Sequence, residues 1–140
     1  MKGTETILLV EDDHVDVLSV KRAFKELKIT NPLQVVGNGE AGLEWLRDEH
    51  NPKPCLILLD LNMPRMNGLE FLKVTKSDET LRRIPVIVLT SSKGEQELLE
   101  TFDHGVAGYM VKPANYLQLV EVMRVIDLYW TISEIPGVGR

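Results

Sequence analysis

The sequence predicts an α/β domain built on a doubly wound, five-stranded parallel sheet. Short apolar runs alternate with segments of helical periodicity along the chain, and each parallel crossover needs a connecting helix. The runs are short and rich in β-branched residues or leucine, as buried strands are.

The elements follow in order. Ile7 to Val10 is the first run, and Val17, Val20, Phe24 and Leu27 then mark one helical face. Leu33 to Val36 is the second, followed by a Gly-rich turn with Asn38 as the N-cap of a helix. Leu56 to Leu59 is the third; Gly68 allows a backbone turn before a helix whose face carries Leu69 and Leu72. Val86 to Leu89 is the fourth, with Leu98 and Phe102 on the helix behind it. A weaker fifth strand, Gly108 to Val111, precedes Lys112 and Pro113, and a last helix runs from near Asn115 to Ser133. That helix carries one apolar stripe, Leu119, Met123, Ile126 and Trp130, and a second of Leu117, Val125, Leu128 and Ile132. One stripe suffices to pack on a sheet. The second predicts a homodimer or partner surface, unless the tail from Glu134 to Arg140 folds back over it.

A chain of 140 residues, 44% of them hydrophobic, holds one core of ordinary size. The expected organisation is a single domain over residues 1–140, with a core from about 5 to 133, a short tail over 134–140 and no output domain. No apolar run reaches the ~18 residues of a membrane span, and Met1 to Thr6 is short and polar, so the expected compartment is the cytoplasm. A net charge of -5 argues against nucleic-acid binding. The lone Cys55 reads as a small buried hydrophobe. His14, His50 and His104 are too dispersed for a metal site, and Arg82 and Arg83 read as solvated residues flanking a strand.

In doubly wound folds the binding crevice lies at the carboxyl ends of the strands. Past Val10 come Glu11, Asp12 and Asp13; past Leu59, Asp60; past Leu89, Thr90; past Val111, Lys112. Clustered carboxylates are costly unless a cation neutralises them, and a few hard oxygen ligands suit Mg²⁺. Any one of these acids alone reads as a turn former or helix cap, which is the preferred reading for Asp13. The set together, with a lysine, points to a phosphoryl acceptor, which needs both metal and cation around its oxygens.

The segments Val10-Glu11-Asp12-Asp13, Leu58-Leu59-Asp60-Leu61-Asn62-Met63-Pro64, Leu89-Thr90-Ser91-Ser92 and Val111-Lys112-Pro113 resemble the receiver domains of two-component systems, across nearly the whole chain. The resemblance implies a flavodoxin-like (βα)5 fold. It implies that Asp60 takes a phosphoryl group from a phosphohistidine on a histidine kinase, with self-catalysed phosphorylation and dephosphorylation as the only chemistry of a signalling domain that is not otherwise an enzyme. Asp12, Asp60 and the backbone carbonyl of Asn62 would hold Mg²⁺, with Glu11, here in place of an Asp, reaching it through water. Lys112 and Thr90 would hold the phosphoryl oxygens. Thr90 would act as the switch with Tyr109, which otherwise reads as a half-buried edge tyrosine, and the face around Glu95 to His104 would change shape. Asn62 and Ser92 match positions that tune hydrolysis. Lys112-Pro113 resembles the family's cis peptide, although X–Pro bonds are mostly trans. The tail Leu128-Tyr129-Trp130 with Pro136 is similar to single-domain regulators paired with phytochrome-type histidine kinases.

Rival readings fall on local chemistry. Gly37-Asn38-Gly39-Glu40-Ala41-Gly42 matches a dinucleotide fingerprint, but Glu40 would sit where the pyrophosphate belongs. A phosphatase of the haloacid dehalogenase type would need an acid where Asn62 stands. A degenerate scaffold would not need intact Asp12, Asp60, Thr90 and Lys112.

Overall fold

The computed structural model describes residues 4–91 and 94–132. Five strands, β1 (Ile7–Val10), β2 (Leu33–Val36), β3 (Leu56–Leu59), β4 (Val86–Thr90) and β5 (Gly108–Val111), alternate with α1 (His14–Glu26), α2 (Gly39–Arg47), α3 (Gly68–Ser77), α4 (Glu95–Asp103) and α5 (Tyr116–Ile132). All strand pairs are parallel, in the order β2-β1-β3-β4-β5. Each apolar run of the sequence is a strand, and in the three central ones burial on both faces demands apolar side chains at nearly every position. β1, β3 and β4 are buried throughout, whereas the edge strands β2 and β5 are largely half-buried.

Strand alternation divides the core. Ile7, Leu9, Leu56, Leu58, Ile87 and Leu89 pack with α1 and α5 on one face. Leu8, Val10, Ile57, Leu59, Val86 and Val88 pack with α2 and α3 on the other. Val17, Val20 and Phe24 of α1 are buried as their spacing predicts, as are Leu119, Met123, Ile126 and Trp130 of α5. Cys55 is buried too. The expected face of α4 is different: Phe102 is half exposed and Thr101 is the buried residue. The helix lies against the sheet's edge strand, where less apolar surface is available to cover it.

Asp13 and Asn38 are N-caps, their side chains accepting from the N–H groups of Asp16 and Ala41 at 3.1 and 2.9 Å. The Gly-rich segment is a packing device. A Cβ on Gly39 would lie 2.6 Å from the Met66 side chain, and one on Gly42 would lie 2.9 Å from the Phe71 ring. Gly68 likewise serves close approach rather than an unusual turn conformation: a Cβ there would meet the Asp60 carbonyl oxygen and Leu61 Cα at 2.6 Å. Lys112–Pro113 is trans, since no peptide bond among the described residues is cis.

Gly68 therefore holds the start of α3 against the backbone that carries Asp60. Gly68→Ala should destabilise the fold by about 1–3 kcal/mol, the usual cost of overpacking, seen as a lower urea midpoint at unchanged slope. An unchanged midpoint would show that this approach yields freely.

Candidate functional site

Strand register builds the site. Val10 pairs with Leu59 across β1 and β3, so the next residues, Glu11 and Asp60, fall side by side. The Asp60 N–H donates to the Val10 carbonyl at 3.0 Å and the Glu11 N–H to the Val36 carbonyl at 2.9 Å, extending the ladder past the strand ends. Both acids continue the alternation of Leu9 and Leu58, on the α1/α5 face. Lys112 continues that of Met110 on the same face and is anchored by its N–H to the Thr90 carbonyl at 2.7 Å.

The result is a small, dense cluster of charge. Glu11 and Asp60 are nearly sealed from water, at 4% and 5% exposure. Lys112 Nζ lies 2.6 Å from Glu11 Oε1, 2.6 Å from Asp16 Oδ2 and 3.6 Å from Asp60 Oδ2. Burial pushes the Glu11 carboxyl up to about 7, with Asp60's charge adding to the rise and Lys112 opposing it. For Lys112, burial would lower the pKa, but hydrogen bonds to Asp16 and Glu11 and the charges of Glu11 and Asp60 outweigh it and raise the value.

Glu11, Asp12 and Asp60 each bring a carboxylate oxygen within 4.8 Å of the others. Asp60 Oδ1 is buried with no hydrogen-bond partner, and a buried carboxylate oxygen without a partner is costly. A hard divalent cation held by oxygen ligands meets that need, so the residues present fit Mg²⁺ or Mn²⁺. The cleft beside them, about 230 Å³ and lined by Glu11, Asp16, Asp60 and Lys112 over an apolar floor, is below the ~300–1,000 Å³ of sites for drug-sized ligands. It suits a phosphoryl group better than a dinucleotide.

The switch candidates lie on the opposite face. Thr90 is fully buried and continues Val86 and Val88, and Asn62 Nδ2 donates to its Oγ1 at 3.4 Å. Tyr109 is half-buried against the same core cluster. The Asn62 side chain is thus a neighbour of Thr90. Ser92 lies outside the described residues, as does the tail over 134–140. Among the described residues, no histidine joins the acid cluster. Leu117, Val125, Leu128 and Ile132 are exposed at 59–75%.

Asp16 was not singled out by its sequence context. It stands in the first turn of α1, where an acid is ordinary beside the helix's positive end, and its partner Lys112 is 96 residues away.

The family model for the response regulator receiver domain matches residues 7–124. This chain is a response regulator receiver. It is 35% identical over 130 residues to response regulator Rcp1 of Synechocystis sp., covering 90% of this chain and 88% of that one. It is equally 35% identical to the probable methanogenesis regulatory protein FilR2 of Methanothrix harundinacea over 127 residues, 89% of this chain and 82% of that one. Among solved structures, the phosphorylated cyanobacterial phytochrome response regulator RcpA superposes with a TM-score of 0.89 at 34% identity, covering 96% of this chain and 99% of that one. The Mn²⁺-bound form of Rcp1 gives 0.88 at 34% identity, covering 95% and 99%. The receiver is thus a signalling module of phosphorelays, of the kind found in phytochrome response regulators. Among the described residues, no helix is long and apolar enough to cross a membrane.

The raised Glu11 sets a pH dependence in the metal-free receiver. A carboxyl whose folded pKa, about 7, exceeds its ordinary 4.5 binds more protons in the native state between those values. Its stabilising contribution is complete below about pH 4.5 and lost as pH rises through about 7. Thermal melts from pH 5 to 8 should show Glu11→Gln losing less stability with rising pH than the parent. Parallel curves for the two proteins would refute the assignment.

Proposed function

We propose that this receiver accepts a phosphoryl group on Asp60 from a phytochrome-type histidine kinase and passes the signal on through protein contacts. The observation that supports it most is the buried Asp60 carboxylate, one oxygen without a partner, between an acid cluster and Lys112. In the reaction, an Asp60 oxygen forms a bond to phosphorus as the phosphorus–nitrogen bond to the donor histidine breaks. The imidazole leaves with the electron pair, and the phosphoryl group stays on the receiver's own side chain until water removes it.

Asp12, Asp60 and the Asn62 backbone carbonyl would hold Mg²⁺, with Glu11 reaching it through water. Once bound, the ion supplies positive charge against the acids and the phosphoryl oxygens. Lys112 supplies a second cation and Thr90 a hydroxyl donor, which together spread the charge that builds during transfer. Drawn toward a phosphoryl oxygen, Thr90 moves its loop, and Tyr109, packed on the same face of the sheet, follows. The face of α4 and β5 then changes shape.

The exposed stripe of α5, Leu117, Val125, Leu128 and Ile132, forms a homodimer surface in this reading. Tyr129, also exposed, stands beside Leu128 on the same helix and adds to the apolar surface offered there. The setting in this reading is the cytoplasm, with no role for nucleic acid or membrane.

Incubated with Mg²⁺ and acetyl phosphate, the protein should gain one phosphate by intact mass, while Asp60→Asn or omission of Mg²⁺ should give none. A phosphate carried by the Asp60→Asn protein would move the acceptor elsewhere. For the surface, Leu128→Lys with Ile132→Glu should convert a dimer to a monomer in size-exclusion chromatography. If the parent elutes as a monomer with and without phosphoryl donor, the dimer reading is wrong.

A further inference from the structure

Lys112 is shared among three carboxylates, and the sharing is uneven. Its ammonium has three donors. Two make hydrogen bonds of 2.6 Å, to Glu11 and Asp16, while Asp60 stands off at 3.6 Å, beyond a charge-assisted hydrogen bond. The lysine that should serve the acceptor aspartate is drawn toward its neighbours.

Asp16 differs from the other two. It lies outside the Glu11, Asp12 and Asp60 group whose oxygens could hold a metal, so it has no ligand role that would take its carboxylate from the lysine. Its position is also set by the scaffold. Its N–H is tied to the Asp13 cap at 3.1 Å. The start of α5, four residues past Lys112, is clamped to the same helix α1: Arg22 stacks 4.0 Å over the Tyr116 ring, and the Tyr116 hydroxyl donates to Glu26 at 2.9 Å. The lysine's stem and the competing carboxylate therefore keep their spacing.

Resting on the reading of Asp60 as acceptor, we propose that Asp16 is a positioning residue that competes with the phosphoryl group for Lys112, weakening the site's hold on that group. Uptake of the phosphoryl group requires the ammonium to leave Asp16 for the new oxygens. The free energy of the 2.6 Å pair is then subtracted from the gain. The pair is partly exposed, with side-chain exposures of 17% and 38%, so the effect is moderate rather than that of a sealed ion pair.

The test uses the full chain with Mg²⁺ and beryllofluoride, an unhydrolysable phosphoryl mimic, titrated by calorimetry. Asp16→Asn should bind it about three- to tenfold more tightly, and Asp16→Glu, which restores the carboxylate, should return toward the parent. In the unliganded protein, the ¹⁵Nζ resonance of Lys112, assigned with Lys112→Arg, should shift on Asp16→Asn. Equal or weaker binding by the Asn variant overturns the proposal. Tighter binding with the Nζ resonance unmoved also overturns it, because removal of negative charge alone would then account for the gain. Failure of the parent to bind at all would instead remove the Asp60 reading, and the proposal with it.

Discussion

Two carboxylates at adjacent register positions, both nearly closed to water, are what the rest of the strand-end rim must accommodate. Glu11 and Asp60 meet because β1 and β3 are central neighbours in register, and neither can turn away without breaking the ladder that continues past both strands. Like charges about 4 Å apart at an effective dielectric of ~20 repel by roughly 4 kcal/mol, a large share of the stability of a domain. Lys112, brought from the far edge of the sheet, offsets this repulsion, and the Glu11 carboxyl still rises to about 7 because burial takes it out of water. A cation-hungry rim is thus built into the backbone register. The uncompensated oxygen of Asp60 is where the shortfall is concentrated.

The same register separates the acid cluster from the two switch candidates. Glu11, Asp60 and Lys112 extend the odd-numbered face of β1 and the even-numbered faces of β3 and β5, toward α1 and α5. Thr90 and Tyr109 lie on the opposite face, with the core of α2 and α3. A group added to Asp60 can reach both faces only because it sits beyond the strand end, where no neighbouring backbone screens one side from the other. Thr90, buried completely and adjoining Asn62, lies on that opposite face, which is where the proposed switch needs it.

Much of this was legible in the sequence for a single reason. Parallel strands covered on both faces leave uninterrupted apolar runs, and the residue after each run marks the crevice. Hence Glu11, Asp12, Asp60, Thr90 and Lys112 could all be named. What resisted reading was of two kinds. Phe102 follows helical spacing yet is half exposed, since periodicity shows that a helix has an apolar face but not whether this chain covers it. Asp16 looks like any acid in a first helical turn, and only the packing of α1 beside α5 reveals its partner. Gly68 was noticed for the wrong freedom. Its missing Cβ, not its backbone dihedrals, lets α3 start against Asp60.

Packing also explains the direction in which a signal can travel. Asp60 and its acidic neighbours stand just past the ends of β1 and β3, whose four residues apiece are buried, and Thr90 closes a strand that is buried throughout. Beyond it the structure loosens: β5 is largely half-buried, and α4 presents Leu99 and Phe102 to solvent. Few buried contacts mean a low cost of rearrangement, and the elements that move in switching are drawn from that end of the stability range. In the proposed switch, a displacement begun at Asp60 meets three buried strands, and of the two half-buried edges it is β5 that pairs with the strand ending in Thr90. The switch proposed for Thr90 and Tyr109 thus borders the part of the fold that rearranges at least cost, α4 and β5.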